Sequence, residues 1–389
     1  MSDATAPAAG SAMPEWNPDA DPGTWRERFR TGTPFTIGVE EEVMLLDPER
    51  FDLAPRAEEV LARLTDESRI SPELHAAQLE LVTPPCANVP DAIAQLREAR
   101  TRLVEETTGW LRVATAGVHP FAERAPNIST GERYRVIAAE YGRAALEAAV
   151  FGIHVHVAID GADRAVAIHD AIREHLPTIA VLSGNGPFHA GHDTTFATMR
   201  PKLSEVLPRQ GMPPEFGSWE RWCEFVRWGQ RSHTFGPQEL WWEVRLHPAF
   251  GTLEVRVADA QCALDEAAGI VALIHALVRH LSDRYDDGTL ADPVRTEVAQ
   301  ENRWRALRHG LGGTLLDGRT GTPRSSRQRV RELIALVEPE ARELGCSAEL
   351  AHAATLAECN GAERQRQVAD SRGLTGLVSW MADRFDGRI

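Results

Sequence analysis

Phe35-Thr36-Ile37-Gly38-Val39-Glu40-Glu41-Glu42-Val43-Met44-Leu45-Leu46-Asp47-Pro48 reads as a β-strand. Ile37, Val39, Val43 and Leu45 are strand formers, and Pro48 ends the run. Side chains alternate along a strand, so Glu40 and Glu42 share one face, roughly 7 Å apart. Val39 and Glu41 take the other. Two carboxylates on one side of an otherwise apolar strand are costly unless something positive neutralises them. A hard divalent cation is the natural partner. The plain alternative is a solvated acidic face on an edge strand.

The same device recurs along the chain. Phe151-Gly152-Ile153-His154-Val155-His156-Val157-Ala158-Ile159 puts His154 and His156 on one face and Ile153, Val155 and Val157 on the other. Thr252-Leu253-Glu254-Val255-Arg256-Val257 does so with Glu254 and Arg256, and Trp242-Glu243-Val244-Arg245-Leu246 with Glu243 and Arg245. Gln78-Leu79-Glu80-Leu81-Val82 pairs Gln78 with Glu80. Singly, each fits an ion-pair ladder. Together they describe an antiparallel sheet with one face for a charged ligand and the other packed on helices.

The 389 residues suffice for one large domain, and 43% hydrophobic with 25% charged residues is an ordinary globular balance. A net charge of −15 argues against nucleic-acid binding through a basic surface. No run reaches the ~18 apolar residues of a membrane-spanning helix. Five scattered cysteines without a CxxC pair fit a reducing, cytoplasmic setting. Of 42 basic residues, all but Lys202 are arginine. No Gly-Lys-Ser/Thr loop exists, so P-loop chemistry is excluded. Phosphate handling falls to metal and to arginine, which forks onto phosphate or carboxylate oxygens.

Residues 1–33, rich in Ala, Pro, Gly and Asp at their start, read as a disordered or loosely attached tail, and 34–389 as one catalytic domain with C-terminal helices. Strand signals cluster at 34–46, 78–83, 112–118, 150–159 and 239–258. Helical periodicity covers 55–65, 89–110, 130–148, 164–184, 264–285, 325–344 and 347–369. Without a regular βαβ rhythm this is an α+β chain with an antiparallel sheet. The tryptophans of 211–250 read as a loop-rich layer packed on that sheet. Asn302-Arg303-Trp304-Arg305-Ala306-Leu307-Arg308-His309-Gly310 sets Arg305 and Arg308 one turn apart on a helix.

Gly38-Val39-Glu40-Glu41-Glu42, Phe151 to Val157, Gly251 to Gln261 and Asn302 to Leu311 resemble, in order and spacing, the YbdK-type carboxylate–amine ligases, also called the glutamate–cysteine ligase type 2 group. Thr115 to Phe121, Arg133-Tyr134 and Phe196 to Pro201 are similar to further signatures of that family. The resemblance implies the fold of the glutamine synthetase catalytic domain, a curved, mostly antiparallel sheet forming a funnel with helices on its outer face. It implies an ATP- and Mg²⁺- or Mn²⁺-dependent ligase that activates an acid as its acyl phosphate for attack by an amine, nominally γ-glutamyl transfer. Both substrates would be small molecules, amino acids in the first place, and the protein a homodimer or larger.

On the same resemblance, Glu40, Glu42, Glu80, His154 and Glu254 would hold metal, with Glu73 a weaker match. Arg256, Arg200 and Arg308 would meet phosphate or substrate carboxylate. His156, Arg305 and Asn302, with Arg256, would contact the nucleotide. Ala158 stands where the family has glycine. Two other readings compete. A metal-dependent amidohydrolase would use His154 and His156 with His189, His192, His233, Asp259 and Lys202, but needs its His-x-His on the first strand of a barrel. A non-catalytic ATP-binding relative would have little use for the intact acidic set.

Overall fold

Strand β1 (Ile37–Leu46) is flanked on both sides by other strands, which makes it the spine of the fold. In chain order the strands that follow are β2 (Ile70–Pro72), β3 (Gln78–Val82), β4 (Arg112–Ala114), β5 (Gly152–Ala158), β6 (Phe188–His189), β7 (His192–Asp193), β8 (Val244–His247), β9 (Thr252–Asp259) and a small antiparallel pair, β10 (Thr314–Leu316) with β11 (Pro323–Ser325). This computed structural model describes residues 17, 19–30, 32–122, 125 and 127–389.

Seven strands form one sheet in the order β2-β3-β1-β5-β9-β8, with β4 also paired to β1, and every pairing is antiparallel. β6 and β7 form a separate ribbon. The α+β class and the antiparallel sheet are as the alternation required. Such a sheet is incompatible with the parallel barrel of the amidohydrolase reading, and Lys202 is ion-paired with Glu205.

One face of the sheet is the core. Val39, Val43, Ile153, Val155, Leu253 and Val255 are almost fully buried. The helices Val89–Thr107, Ala162–Ile172, Leu176–Ser183 and Leu264–Asp286 pack against these strands. Glu41 also points into this layer. Its carboxylate is met by the Arg100 guanidinium, with Nε donating at 2.7 Å. Arg100 also donates to the carbonyls of Gln261 and Cys262. A buried carboxylate is tolerable here because a buried cation and its hydrogen bonds compensate it.

Several sequence expectations are corrected. The helix expected over 130–148 is two, Glu132–Tyr141 and Arg143–Glu147, broken at Gly142. That over 164–184 divides before Leu176, where Pro177 suits a new first turn. That over 347–369 divides at Asn360, whose side chain caps the second helix. β2 was not expected, being too short for alternation to register.

The end of the expected tail that is described lies against the domain. Pro22–Arg30 is a 3-10 helix, and Trp25 and Phe29 are buried against Trp222 and Trp219. Those two tryptophans belong to helix Trp219–Arg231, capped by Ser218, rather than to a loop layer. Aromatic burial thus ties the segment before β1 to the domain. Residues 1–16, where the tail expectation chiefly falls, lie outside the described residues. Among the described residues no helix is long and apolar enough to cross a membrane.

Candidate active site

The strand register brings the polar faces together. Glu42 stands opposite Glu80 across β1–β3, and Glu40 opposite His154 across β1–β5. His156 stands opposite Glu254, and Glu254 opposite Arg245. Period-two alternation then places all of these side chains on the same side of the sheet. Glu40 is the meeting point. Its Oε2 lies 3.1 Å from His154 Nδ1 and its Oε1 lies 3.1 Å from His156 Nε2.

Among the described residues, two groups of donor atoms could each hold a metal ion: Glu40 with Glu80 and His154, and Glu40 with His156 and Glu254. Within each group the donor atoms lie within 4.8 Å of one another. Carboxylate oxygens with an imidazole nitrogen fit Mg²⁺ or Mn²⁺ better than a thiophilic metal. His156, read from the sequence as a nucleotide contact, is placed by geometry among the possible ligands. Glu42 is in neither group. It accepts from the Gly152 backbone N–H and borders the adjoining cavity.

The electrostatics fit a cation here. Burial raises the Glu42 carboxyl to about 7, with help from the neighbouring Glu73. Burial and the charges of Glu40, Glu73 and Glu42 push Glu80 well above the usual carboxylate range. Burial works against ionisation of Glu40 too, but His156 and the bond to His154 hold it well below that range. Glu254 is likewise held low against its burial, by Arg245 and Arg256. Burial, then Arg256, lower His154 to about 4, which leaves its imidazole neutral and able to ligate. Carboxylates thus outnumber the local cations, and two of them are ionised only with difficulty.

Arginines line the positive side. Arg256 donates to Glu254, and its Nη1 lies 3.3 Å from His154 Nδ1. Arg245 Nε donates to Glu254 at 2.5 Å. Arg200 reaches the backbone of β9, donating to the Arg256 carbonyl at 2.9 Å, and packs over Gly152. Arg200 and Arg256 border a cavity of about 910 Å³ including its open mouth, together with Glu42, Glu73 and His154.

The C-terminal motif divides between the cavity and its surroundings. Helix Thr296–His309 turns Arg303 to the cavity, where Glu243 and Glu205 hold it. Arg305 pairs with Glu301, and Arg308 donates to the Thr195 carbonyl, 5.5 Å over the Phe196 ring. Neither borders the cavity. Asn302 is buried and ties its helix to Leu316 through two backbone bonds. At about 100° per residue, positions 305 and 308 stand on other faces than 303. Sequence reasoning passed over Arg303, and only the helix orientation reveals it.

A family model described as glutamate–cysteine ligase family 2 matches residues 36–378. The chain belongs to that family. A candidate glutamate–cysteine ligase 2-3 of Rubrobacter xylanophilus is 40% identical over 370 residues, covering 92% of this chain and 98% of the relative. A candidate glutamate–cysteine ligase 2 of Gloeobacter violaceus is 33% identical, covering 90% and 97%. Among solved structures, a glutamate–cysteine ligase of Francisella tularensis in complex with AMP superposes with TM-score 0.68 at 13% identity, covering 92% of this chain and 89% of that one. A bifunctional glutathione synthetase of Pasteurella multocida gives 0.62 at 14% identity, covering 94% and 54%. At such identities the two structures speak to the fold, which is that of these ligases. The family-2 chain described here is accordingly an enzyme of the glutamate–cysteine ligase-like class.

Proposed function

We propose that this enzyme is an ATP-dependent carboxylate–amine ligase that forms an amide through an acyl phosphate, with γ-glutamyl transfer to an amine as its nominal reaction. The observation that carries the reading is Glu40, shared by two cation-fitting groups beside a cavity edged with buried arginine. Glu40, Glu80 and His154 would hold one Mg²⁺ or Mn²⁺, and Glu40, His156 and Glu254 a second. Bound there, the metal supplies charge neutralisation for the phosphates of ATP.

The chain's own residues do the rest. Arg256 and Arg200 offer fixed cations at the cavity wall to the acid's carboxylate and to the phosphoryl group. The acid oxygen attacks the γ-phosphorus and ADP leaves. Once the ammonium has given a proton to solvent or to a cavity carboxylate, the neutral amine attacks the acyl carbon, and phosphate leaves with the oxygen that came from the acid. Glu42 and Glu73 border the cavity and attract the ammonium form of the amine. The near absence of lysine agrees with phosphate handling by arginine and metal. The five cysteines are all free, which agrees with a cytoplasmic enzyme.

Oxygen-isotope transfer tests this route. With ¹⁸O in the acid's carboxylate, the released inorganic phosphate should carry one labelled oxygen. Label in AMP instead would replace the acyl phosphate with an acyl adenylate.

A further inference from the structure

The cavity lining is of two kinds. Glu42, His154, Arg200 and Arg256 are charged or polar, whereas Tyr134, Ile137, Leu207, Trp241 and Trp242 make an aromatic and aliphatic wall. Tyr134 and Ile137 come from helix Glu132–Tyr141, which buries none of its residues. The helix is bounded by Gly131 at φ 136° and Gly142 at φ 55°, conformations that favour glycine. It is seated by Tyr134, whose hydroxyl donates to the Pro72 carbonyl at 2.6 Å, and by the edge of Tyr141 on Trp241, ring centroids 5.7 Å apart. This helix adds no buried residue to the core yet contributes Arg133, Tyr134 and Ile137 to the cavity lining. Next to Tyr134, Arg133 borders the cavity and has no hydrogen-bond or ion-pair partner among the described residues.

We infer that this wall selects the amine substrate, and that the amine is an α-amino acid with an aromatic or large branched side chain rather than cysteine. The inference rests on the ligase reading, because it assigns one substrate of that reaction. The side chain lies against Tyr134, Ile137 and Trp241, which removes apolar surface from water. Arg133 takes the α-carboxylate. The ammonium faces Glu42 and Glu73, carboxylates that attract an amine and repel the acid substrate. Cysteine would leave most of the apolar wall wet.

Calorimetric titration of the full-length protein with L-phenylalanine, L-leucine, L-cysteine and phenethylamine, in Mg²⁺ with a non-hydrolysable ATP analogue, decides it without turnover. Phenylalanine or leucine should bind at least roughly tenfold tighter than cysteine, the discrimination an apolar pocket supplies. Arg133→Gln should weaken phenylalanine and leave phenethylamine, which lacks the carboxylate, unchanged. Ile137→Asp should erase the preference over cysteine. Equal binding of phenylalanine and cysteine, no binding of any of the four, or an equal effect of Arg133→Gln on phenylalanine and phenethylamine overturns the inference. Turnover is read separately. Ligation of cysteine as fast as phenylalanine overturns the inference and keeps the ligase, whereas selective binding with no ADP release overturns the ligase and keeps the selective wall.

Discussion

Glu40 and His154 face each other across β1 and β5, and the carboxylate that meets His154 Nδ1 at 3.1 Å also meets His156 Nε2 at 3.1 Å. One side chain thus belongs to both candidate cation groups, whereas Glu80 and Glu254 belong to one each. Wild-type protein should bind two Mn²⁺ ions per chain, as counted by electron paramagnetic resonance. Glu80→Gln and Glu254→Gln should each retain one, and Glu40→Gln should bind neither tightly. Two ions retained by Glu40→Gln would remove the shared-ligand assignment.

The neighbouring Glu41 separates structure from chemistry. It is fully buried on the helix side with Arg100. Arg100→Ala strands that carboxylate and should cost about 3–5 kcal/mol in urea denaturation. Joint replacement by Glu41→Leu and Arg100→Met should cost much less, because no charge is left unpaired. A loss below about 1 kcal/mol for Arg100→Ala would mean that Glu41 is not held as described.

Gly152 is where the Arg200 guanidinium crosses the strand, and a Cβ there would collide with it. Gly152→Ala should therefore displace Arg200 and lower kcat by about 100-fold, the scale of a misplaced catalytic group. The far-ultraviolet circular dichroism should be unchanged. Full activity in this variant would argue that Arg200 has no part in the reaction.

Acid sensitivity should come from buried histidine. His275 is fully buried, its Nε2 donates to the Phe35 carbonyl at 2.9 Å, and its Nδ1 has no partner among the described residues. Burial lowers its pKa to about 4 from 6.5. The unfolded chain therefore takes up a proton near 6.5 that the folded chain refuses until about 4, so stability falls as pH drops across that window. For this one residue the loss is on the order of 3 kcal/mol at most. His275→Gln, which keeps a donor for Phe35, should flatten the fall in melting temperature between pH 7 and pH 4.5. An unchanged slope would exclude His275 as a source.

What the sequence made legible was whatever a period of two encodes. Glu40, Glu42, Glu80, His154, Glu254 and Arg256 are found on the face that alternation assigned, and Glu41 on the other. Alternation gives a face but not a neighbour. That His156 stands opposite Glu254 is a matter of strand order, and this moved His156 from nucleotide contact to candidate ligand. Which helical arginine lines the cavity was not legible, for a related reason. Arg303, Arg305 and Arg308 are chemically alike, and the face turned to the cavity is set by packing alone. The segment before β1 did carry a signal, since Pro22, Trp25 and Phe29 are spaced like one side of a helix, but its surrounding composition concealed it.

The most direct test of the ligase itself is ADP release from Mg²⁺-ATP across paired and single acids and amines, for wild type and Glu254→Ala. The account predicts release that requires both an acid and an amine, matches amide formed one to one, and disappears in Glu254→Ala. ATP binding without ADP release for any pair, or release indifferent to the acid, would contradict it.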